Sequence, residues 1–322
     1  MTASSTQAAG GCPVISVVIC TRNRASLLRK AVASVAGQDF PRQDYEVVIV
    51  DNGSTDETPE VVQEFQGLVR IRYLHEERIG LCIARNSGWR AAEGRYIAFF
   101  DDDATAHPGW LLAIRRAFEQ EDIPRVGIVG GRVQPMWEGL RPSWLANQVA
   151  LSLTIVDWGP ADKIITDIRQ EWVVGVNMAV PKAILIKVGG FHPWLDRVGS
   201  NLLSSGDVFL QKEIMRHGFC CRYVPNMAVD HLVPASRLTQ RWFLRRFFWQ
   251  GVSDAVMCLI ENTPSPLERL RLALNRSRHL TGSWRLMKGL VLRTQRPELF
   301  EAQCFALIDL GFVLGLLGIA GH

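Results

Sequence analysis

Gly94–Trp110 reads GRYIAFFDDDATAHPGW. Tyr96 to Phe100 form an unbroken apolar run of strand length, and Asp101, Asp102 and Asp103 follow at once. A strand that is apolar at every position is one buried on both faces, as in a parallel sheet. Three carboxylates at its mouth repel one another, and burying even one of them unpaired is costly. Either water takes all three or a cation does.

The neighbouring stretches decide what sheet this strand joins. VISVVIC from Val14, YEVVIVDNGS from Tyr45 and RIRYLHE from Arg70 are short and β-branched. Between them lie ASLLRKAVASVAGQ, TDETPEVVQEF with its early Pro59, and LCIARNSGWRAAE, all of helical pattern. GWLLAIRRAFEQ and the strand candidate RVGIVGGRV follow the acids. Strand–helix alternation of this kind predicts an α/β fold, a mostly parallel central sheet flanked by helices. In such sheets ligands bind beyond the carboxyl ends of the strands. CTRNR follows the first strand, DNGSTD the second and DDDA the fourth, so polar groups collect on one rim. Alternate residues of an extended chain point the same way, so Asp101 and Asp103 can share one Mg2+ or Mn2+. The other reading of the triplet is a solvated turn that caps the helix beginning near Pro108.

The chain has 322 residues, 48% of them hydrophobic and 21% charged, which suits one sizeable domain with an appendage. A net charge of +4 is too mild to suggest a nucleic-acid binder. No GxGxxG follows a strand, which disfavours a dinucleotide oxidoreductase. The seven cysteines are odd in number and lack a CxxC pair, as expected of reduced thiols in a cytoplasmic protein. The start has no signal-peptide pattern, and MTASSTQAAGGC reads as a loose tail. No uncharged apolar run reaches the roughly 18 residues of a membrane span. FALIDLGFVLGLLGIAGH comes nearest and contains Asp309. From Arg237 arginines alternate with aromatics, and Leu280, Trp284, Met287 and Val291 form a helical apolar stripe. That pattern suits peripheral attachment to a membrane surface, a helical subdomain packed on the rest, or an oligomer contact.

ISVVICTRNR, EVVIVDNGSTDET, ARNSGWRAAEGRYIAFFDDDA and SSGDVFLQKEIMRHG occur in this order and spacing. Together they resemble the family 2 glycosyltransferases of GT-A fold, over roughly Val14 to Val233. Residues 1–13 read as the tail, and the resemblance implies a catalytic domain over 14–235. Its nucleotide half would be 14–130 and its acceptor half 131–235, with a basic helical region over 236–322. It implies that Thr21, Arg22 and Asn23 lie by the nucleotide base and that Asp51 bonds a uracil. Arg85 and Asn86 would face the nucleotide. Asp101 and Asp103 would be the DXD pair, Asp101 on ribose or metal, Asp103 holding Mn2+ or Mg2+ on the donor diphosphate, with Asp102 in support. His231 stands where the family often has a histidine near the metal. Asp207 matches the general base that deprotonates a hydroxyl acceptor during an inverting displacement. Gly206 stands where the family usually carries Glu, a departure that bears on the acceptor. Asn177 and Met178 would line the sugar and acceptor side, and Trp194 in HPWLDRVGSNLLSSG would cover the acceptor.

Read from the residues alone, Asp51 can be a turn residue, Arg85 a surface arginine and Asp207 a helix N-cap. The implied donor is a nucleoside diphosphate sugar, uridine-linked, with a glycan, lipid-linked sugar or small metabolite as acceptor. A nucleotidyltransferase would carry a Gly-rich loop after the first strand, and CTRNRAS has none. A non-catalytic sugar-nucleotide-binding protein finds support only in Gly206.

Overall fold

The computed structural model describes residues 11–120, 125–197, 201–282 and 294–319. Its strands are β1 (Ile15–Thr21), β2 (Tyr45–Asp51), β3 (Ile71–His75), β4 (Tyr96–Asp101), β5 (Ala104–Ala106), β6 (Val126–Gly130), β7 (Val133–Trp137), β8 (Lys163–Ile165), β9 (Asn177–Pro181), β10 (Cys220–Tyr223) and β11 (Val229–Val233). Its helices are α1 (Ala25–Ala36), α2 (Thr58–Glu64), α3 (Leu81–Ala91), α4 (Trp110–Glu119), α5 (Asn147–Ala150), α6 (Lys182–Val188), α7 (Gly206–Arg216), α8 (Gln240–Asn262), α9 (Pro266–Gly282) and α10 (Pro297–Leu316).

Eight strands form the main sheet in the order β3-β2-β1-β4-β9-β6-β10-β8. β1 pairs in parallel with β2 and with β4, and β2 with β3. β9 runs antiparallel between β4 and β6. The strands are apolar because helices cover both faces: Val17, Ile19, Val47, Ile49, Ile97 and Phe99 are fully buried. Register fixes the rim. Thr21 lies opposite Asp51, and Cys20 opposite Asp101, so three strand ends finish level.

A second sheet, in the order β5-β11-β7, stands beyond that rim. The segment RVGIVGGRV divides between the two sheets. It makes β6 in the first and β7 in the second, breaking where Gly131 passes against the Met227 backbone. The small sheet has a functional consequence. β5 leaves directly from the acids and pairs His231 with Ala104, while Leu232 N donates to Asp103 O at 2.9 Å. A histidine remote in sequence is thereby seated beside the third aspartate.

The last helices pack on the second half of the chain. α8 and α10 approach backbone to backbone. A Cβ at Gly251 would lie 2.0 Å from Ile308 O, and one at Gly311 would lie 2.0 Å from Phe248 O. Trp144, Phe243, Phe247 and Phe300 form a separate aromatic core under this pair. Val252, Val256 and Met257 of α8 pack on Leu195, Leu203 and Phe209, so α8 also seals the loop that leads into α7. Arg276 of α9 pairs with Asp309 of α10 at 2.5 Å. Among the described residues α10 alone is long and apolar enough to cross a membrane, a test that core helices also pass. Most of the stripe expected over Leu280 to Val291 lies outside the described residues.

Candidate active site

Asp101, Asp103 and His231 each place a ligand atom within 4.8 Å of the others. Asp101 is partly exposed, whereas Asp103 and His231 are buried. Thr154 orients the imidazole. Its Oγ1 lies 2.5 Å from Leu153 O and 3.1 Å from His231 Nδ1. On the other side of the ring, Nε2 lies 3.3 Å from Asp103 Oδ1. Two hard oxygen donors and one imidazole suit Mn2+ well, and the bond to Nδ1 is the support a metal-bound imidazole needs.

Burial pushes the Asp103 carboxyl up, but His231, Arg24 and Arg237 outweigh it and hold it below the usual carboxylate range. Asp102 behaves oppositely. Burial pushes it up to about 6, against the pull of Arg24 and the Thr21 hydroxyl. Thr21 Oγ1 donates to Asp102 Oδ2 at 2.8 Å, and Arg24 reaches Asp102 Oδ1 at 2.6 Å and Asp103 Oδ2 at 3.1 Å. Asp102 thus ties the first strand end to the fourth and turns away from the shared pair. Arg24 completes the CTRNR rim, and nothing in the sequence sets it apart from Arg22. Arg22 and Asn23, expected by the nucleotide base, are exposed, and Asn23 Oδ1 accepts from Thr55 N at 2.7 Å.

Asp51 is 2% exposed. Its Oδ1 accepts from Ser54 N at 2.7 Å and its Oδ2 from Tyr73 Oη at 2.6 Å. Tyr73, at the edge of the sheet and 37% exposed, gives this end of the rim an aromatic face that a propensity reading counts only as a strand residue.

Arg85 is no surface arginine. It is 7% exposed, donates to Asp101 Oδ1 at 2.8 Å and lies 5.4 Å from the centre of the Phe191 ring. Gly175 closes the space behind it: a Cβ there would lie 2.5 Å from the guanidinium. The Gly175 N–H donates to Asp207 Oδ2 at 2.9 Å. Arg85, Asp101, Gly175 and Asp207 are therefore contiguous. Asp207 lies inside the first turn of α7 and not at its cap, which Ser205 occupies with φ +72°. The half-buried carboxylate also accepts from Val208 N at 2.9 Å.

Three expected side chains are occupied elsewhere. Asn86 spends its amide on Phe191 O, Phe191 N and Trp89 Nε1, which bolts α3 to the chain after α6. Asn177 is fully buried and bonds Trp110 Nε1, Arg132 O and Met227 O. Met178 is also fully buried between β4 and β6. Neither Asn177 nor Met178 presents a side chain to a ligand, because a strand paired on both sides and covered on both faces has no open surface. Trp194 is 61% exposed on the loop between α6 and α7, part of which, 198–200, lies outside the described residues. A cavity of about 850 Å3 exists elsewhere, lined by residues including His107, Arg116, Arg132 and Arg222 and by none of the rim acids.

Gly206 is buried, and a Cβ there would lie 2.8 Å from Cys82 Sγ. A glutamate cannot be added without moving that thiol. Gly206→Glu is expected to lower Tm by several degrees without raising activity, and Cys82→Ala in the same chain to restore most of the loss. Equal Tm values for Gly206→Glu with and without Cys82→Ala would rule out the thiol as the obstacle.

The described geometry can be set beside known proteins. A family model described as glycosyl transferase family 2 matches residues 16–176. The glucosyl-dolichyl phosphate glucuronosyltransferase of Haloferax volcanii is 26% identical over 250 residues, 76% of this chain and 78% of that protein. The pre-mycofactocin glycosyltransferase of Mycobacterium tuberculosis is 29% identical over 258 residues, 79% of this chain, which spans about half (49%) of that protein. A mannosyltransferase of Pyrobaculum calidifontis, solved with GDP-Man and Mn2+, superposes with a TM-score of 0.62 at 19% identity, over 97% of this chain and 89% of that one. The last shares the GT-A fold. With half of its length matched by the family model, this chain belongs to glycosyl transferase family 2 and is a glycosyltransferase.

Proposed function

We propose that the chain moves a sugar from a nucleoside diphosphate, uridine diphosphate in the first instance, to a hydroxyl acceptor, with Mn2+ or Mg2+ held by Asp101, Asp103 and His231. The convergence of those three ligand groups on one point of the strand rim carries this reading. The ion would supply positive charge to the diphosphate as the glycosidic bond breaks. Arg85 fixes Asp101, and Thr154 fixes His231. Asp51 and Tyr73 form the base end of the cleft. Asp207, oriented by Gly175 N, takes the proton of the attacking hydroxyl at a carboxylate oxygen. One such base on the acceptor side suits a single displacement with inversion.

Thermal-shift titration with UDP, GDP and dTDP, each with and without Mn2+, tests it. One nucleotide should raise Tm only with metal, by the equivalent of about 2.7 kcal/mol at roughly 100 times its Kd. Asp103→Ala should abolish that shift. A nucleotide response that ignores both metal and Asp103→Ala would remove the ion from the proposal.

The acceptor side extends towards a membrane surface in this reading. α9 exposes Leu267, Leu270 and Leu274 on a helix that also carries Arg269, Arg271 and Arg278. A lipid-linked acceptor fits that arrangement. Sedimentation with phosphatidylglycerol vesicles should carry the protein down at low salt, and far less at about 0.5 M salt, where charge is screened. Equal recovery with neutral phosphatidylcholine vesicles at both salt levels would rule out an electrostatic attachment.

A further inference from the structure

Arg246 of α8 is 9% exposed, yet its Nε has no hydrogen-bond partner. NH1 donates to Gln250 Oε1 at 3.0 Å, and among the described residues the guanidinium makes no ion pair. Other buried arginines here are paired: Arg85 with Asp101, and Arg222 with Asp162 at 2.8 Å. Burial pushes Arg246 down to about 9 and Arg197 adds to this, while Asp207 and Asp254 oppose it and Arg237 again adds. It stays charged at neutral pH, so the fold carries a desolvated cation with one neutral partner. A charge taken out of water without a counter-ion is among the costliest groups a protein holds.

Its position gives that cost a use. Gln250, which holds Arg246, also accepts from Ser204 Oγ at 3.1 Å and donates to Ser205 Oγ at 2.9 Å and Asp254 Oδ1 at 2.9 Å. Ser253 Oγ accepts from Ser204 N at 3.0 Å. Ser204 and Ser205 lead directly into Asp207. The same side-chain network therefore seats Arg246 and presents the carboxylate. None of these residues falls within 16–176, the span matched by the family model.

We propose that Arg246 is the anion-binding residue of the cleft, taking a phosphoester group beside Asp207 with Arg197 and Arg237 at its margin. The proposal rests on the glycosyl-transfer reading of Asp207. Two sources share this chemistry: the diphosphate of the donor, or a phosphate carried by the acceptor. A planar guanidinium with free N–H groups suits either.

Calorimetry on the full chain, run with Mn2+ and again in EDTA, separates these sources and does not depend on turnover. The titrants are uridine, UDP, inorganic pyrophosphate and geranyl phosphate, against the native chain, Arg246→Gln and Arg246→Lys. The native chain should bind at least one of the three anions, and Arg246→Gln should weaken that anion at least tenfold without affecting uridine. Arg246→Lys should weaken it less, since it keeps the charge and loses the fork. A loss confined to UDP and pyrophosphate assigns the donor diphosphate, and one confined to geranyl phosphate assigns the acceptor. The ligand-free Tm of Arg246→Gln should equal or exceed that of the native chain. If no anion binds the native chain, or if Arg246→Gln binds all of them equally well, the proposal is overturned. Should Arg246→Gln fail to fold, Arg246→Lys decides, and unchanged anion affinity there overturns it too. Failure of the sugar-nucleotide reading is seen separately, in the Mn2+ dependence of UDP binding and its response to Asp103→Ala.

Discussion

Asp207→Asn lowers kcat by about 10²–10⁴ while the affinity for the nucleotide donor changes less than twofold, the loss expected when a positioned base can no longer accept a proton. Asparagine keeps the shape of the side chain. Its carbonyl oxygen still accepts from Gly175 N, the bond that aims Asp207 at 2.9 Å. The carboxylate sits inside the first turn of α7, where its negative charge also favours the helix end. That structural share is worth only about 0.3–1 kcal/mol, so Tm should fall by no more than a few degrees. The two roles give opposite patterns. A base loses kcat and keeps Tm, and a helix-end charge loses Tm and keeps kcat. Steady-state rates with saturating donor, beside a melting curve for the same sample, tell them apart. A kcat within tenfold of the native value sinks the assignment of Asp207 as the base.

The strand ends were legible because both periods agree there: an apolar run of strand length stops, and polar groups begin. That placed Thr21, Asp51 and Asp101 on one rim, which the register of β1 with β2 and β4 reproduces. His231 was legible only through the family resemblance. The small sheet that seats it beside Asp103 needs β5, three residues long and without a periodic signal of its own. Asn177 and Met178 were misplaced for a related reason. Segment similarity gives the position of a strand in the sheet, but not that β4 and β6 close on both its sides. Arg24 and Arg246 look like any other arginine in a basic stretch. Only tertiary contacts distinguish Arg24, engaged with two aspartates, from its exposed neighbour Arg22. The α8–α10 contact is likewise hidden, since Gly251 and Gly311 interrupt helical patterns as if they were simple defects.

Those two glycines carry the last large effect. Gly311→Leu should cost more than about 3 kcal/mol, beyond ordinary overpacking, because the first carbon added would lie 2.0 Å from a backbone oxygen of α8 that cannot rotate away. α10 must then move off α8, and Phe300 loses its place against Trp144 and Phe243. The damage should not stop at the helices. α8 holds Ser204 and Ser205 through Gln250 and Ser253, and Ser205 keeps a left-handed φ of +72° that a serine does not adopt unaided. Once α8 shifts, that turn relaxes and Asp207 loses its aim, whereas Asp101 and Asp103 stay fixed by the main sheet. Gly311→Leu therefore lowers kcat, while the metal-dependent part of nucleotide binding carried by Asp101 and Asp103 persists. Hydrogen exchange should quicken in α8 and in the first turn of α7, and remain slow in β1, β2 and β4. If exchange quickens in the central strands to the same degree, the helical pair and the sheet unfold as one unit, and the selective link from α10 to Asp207 is wrong.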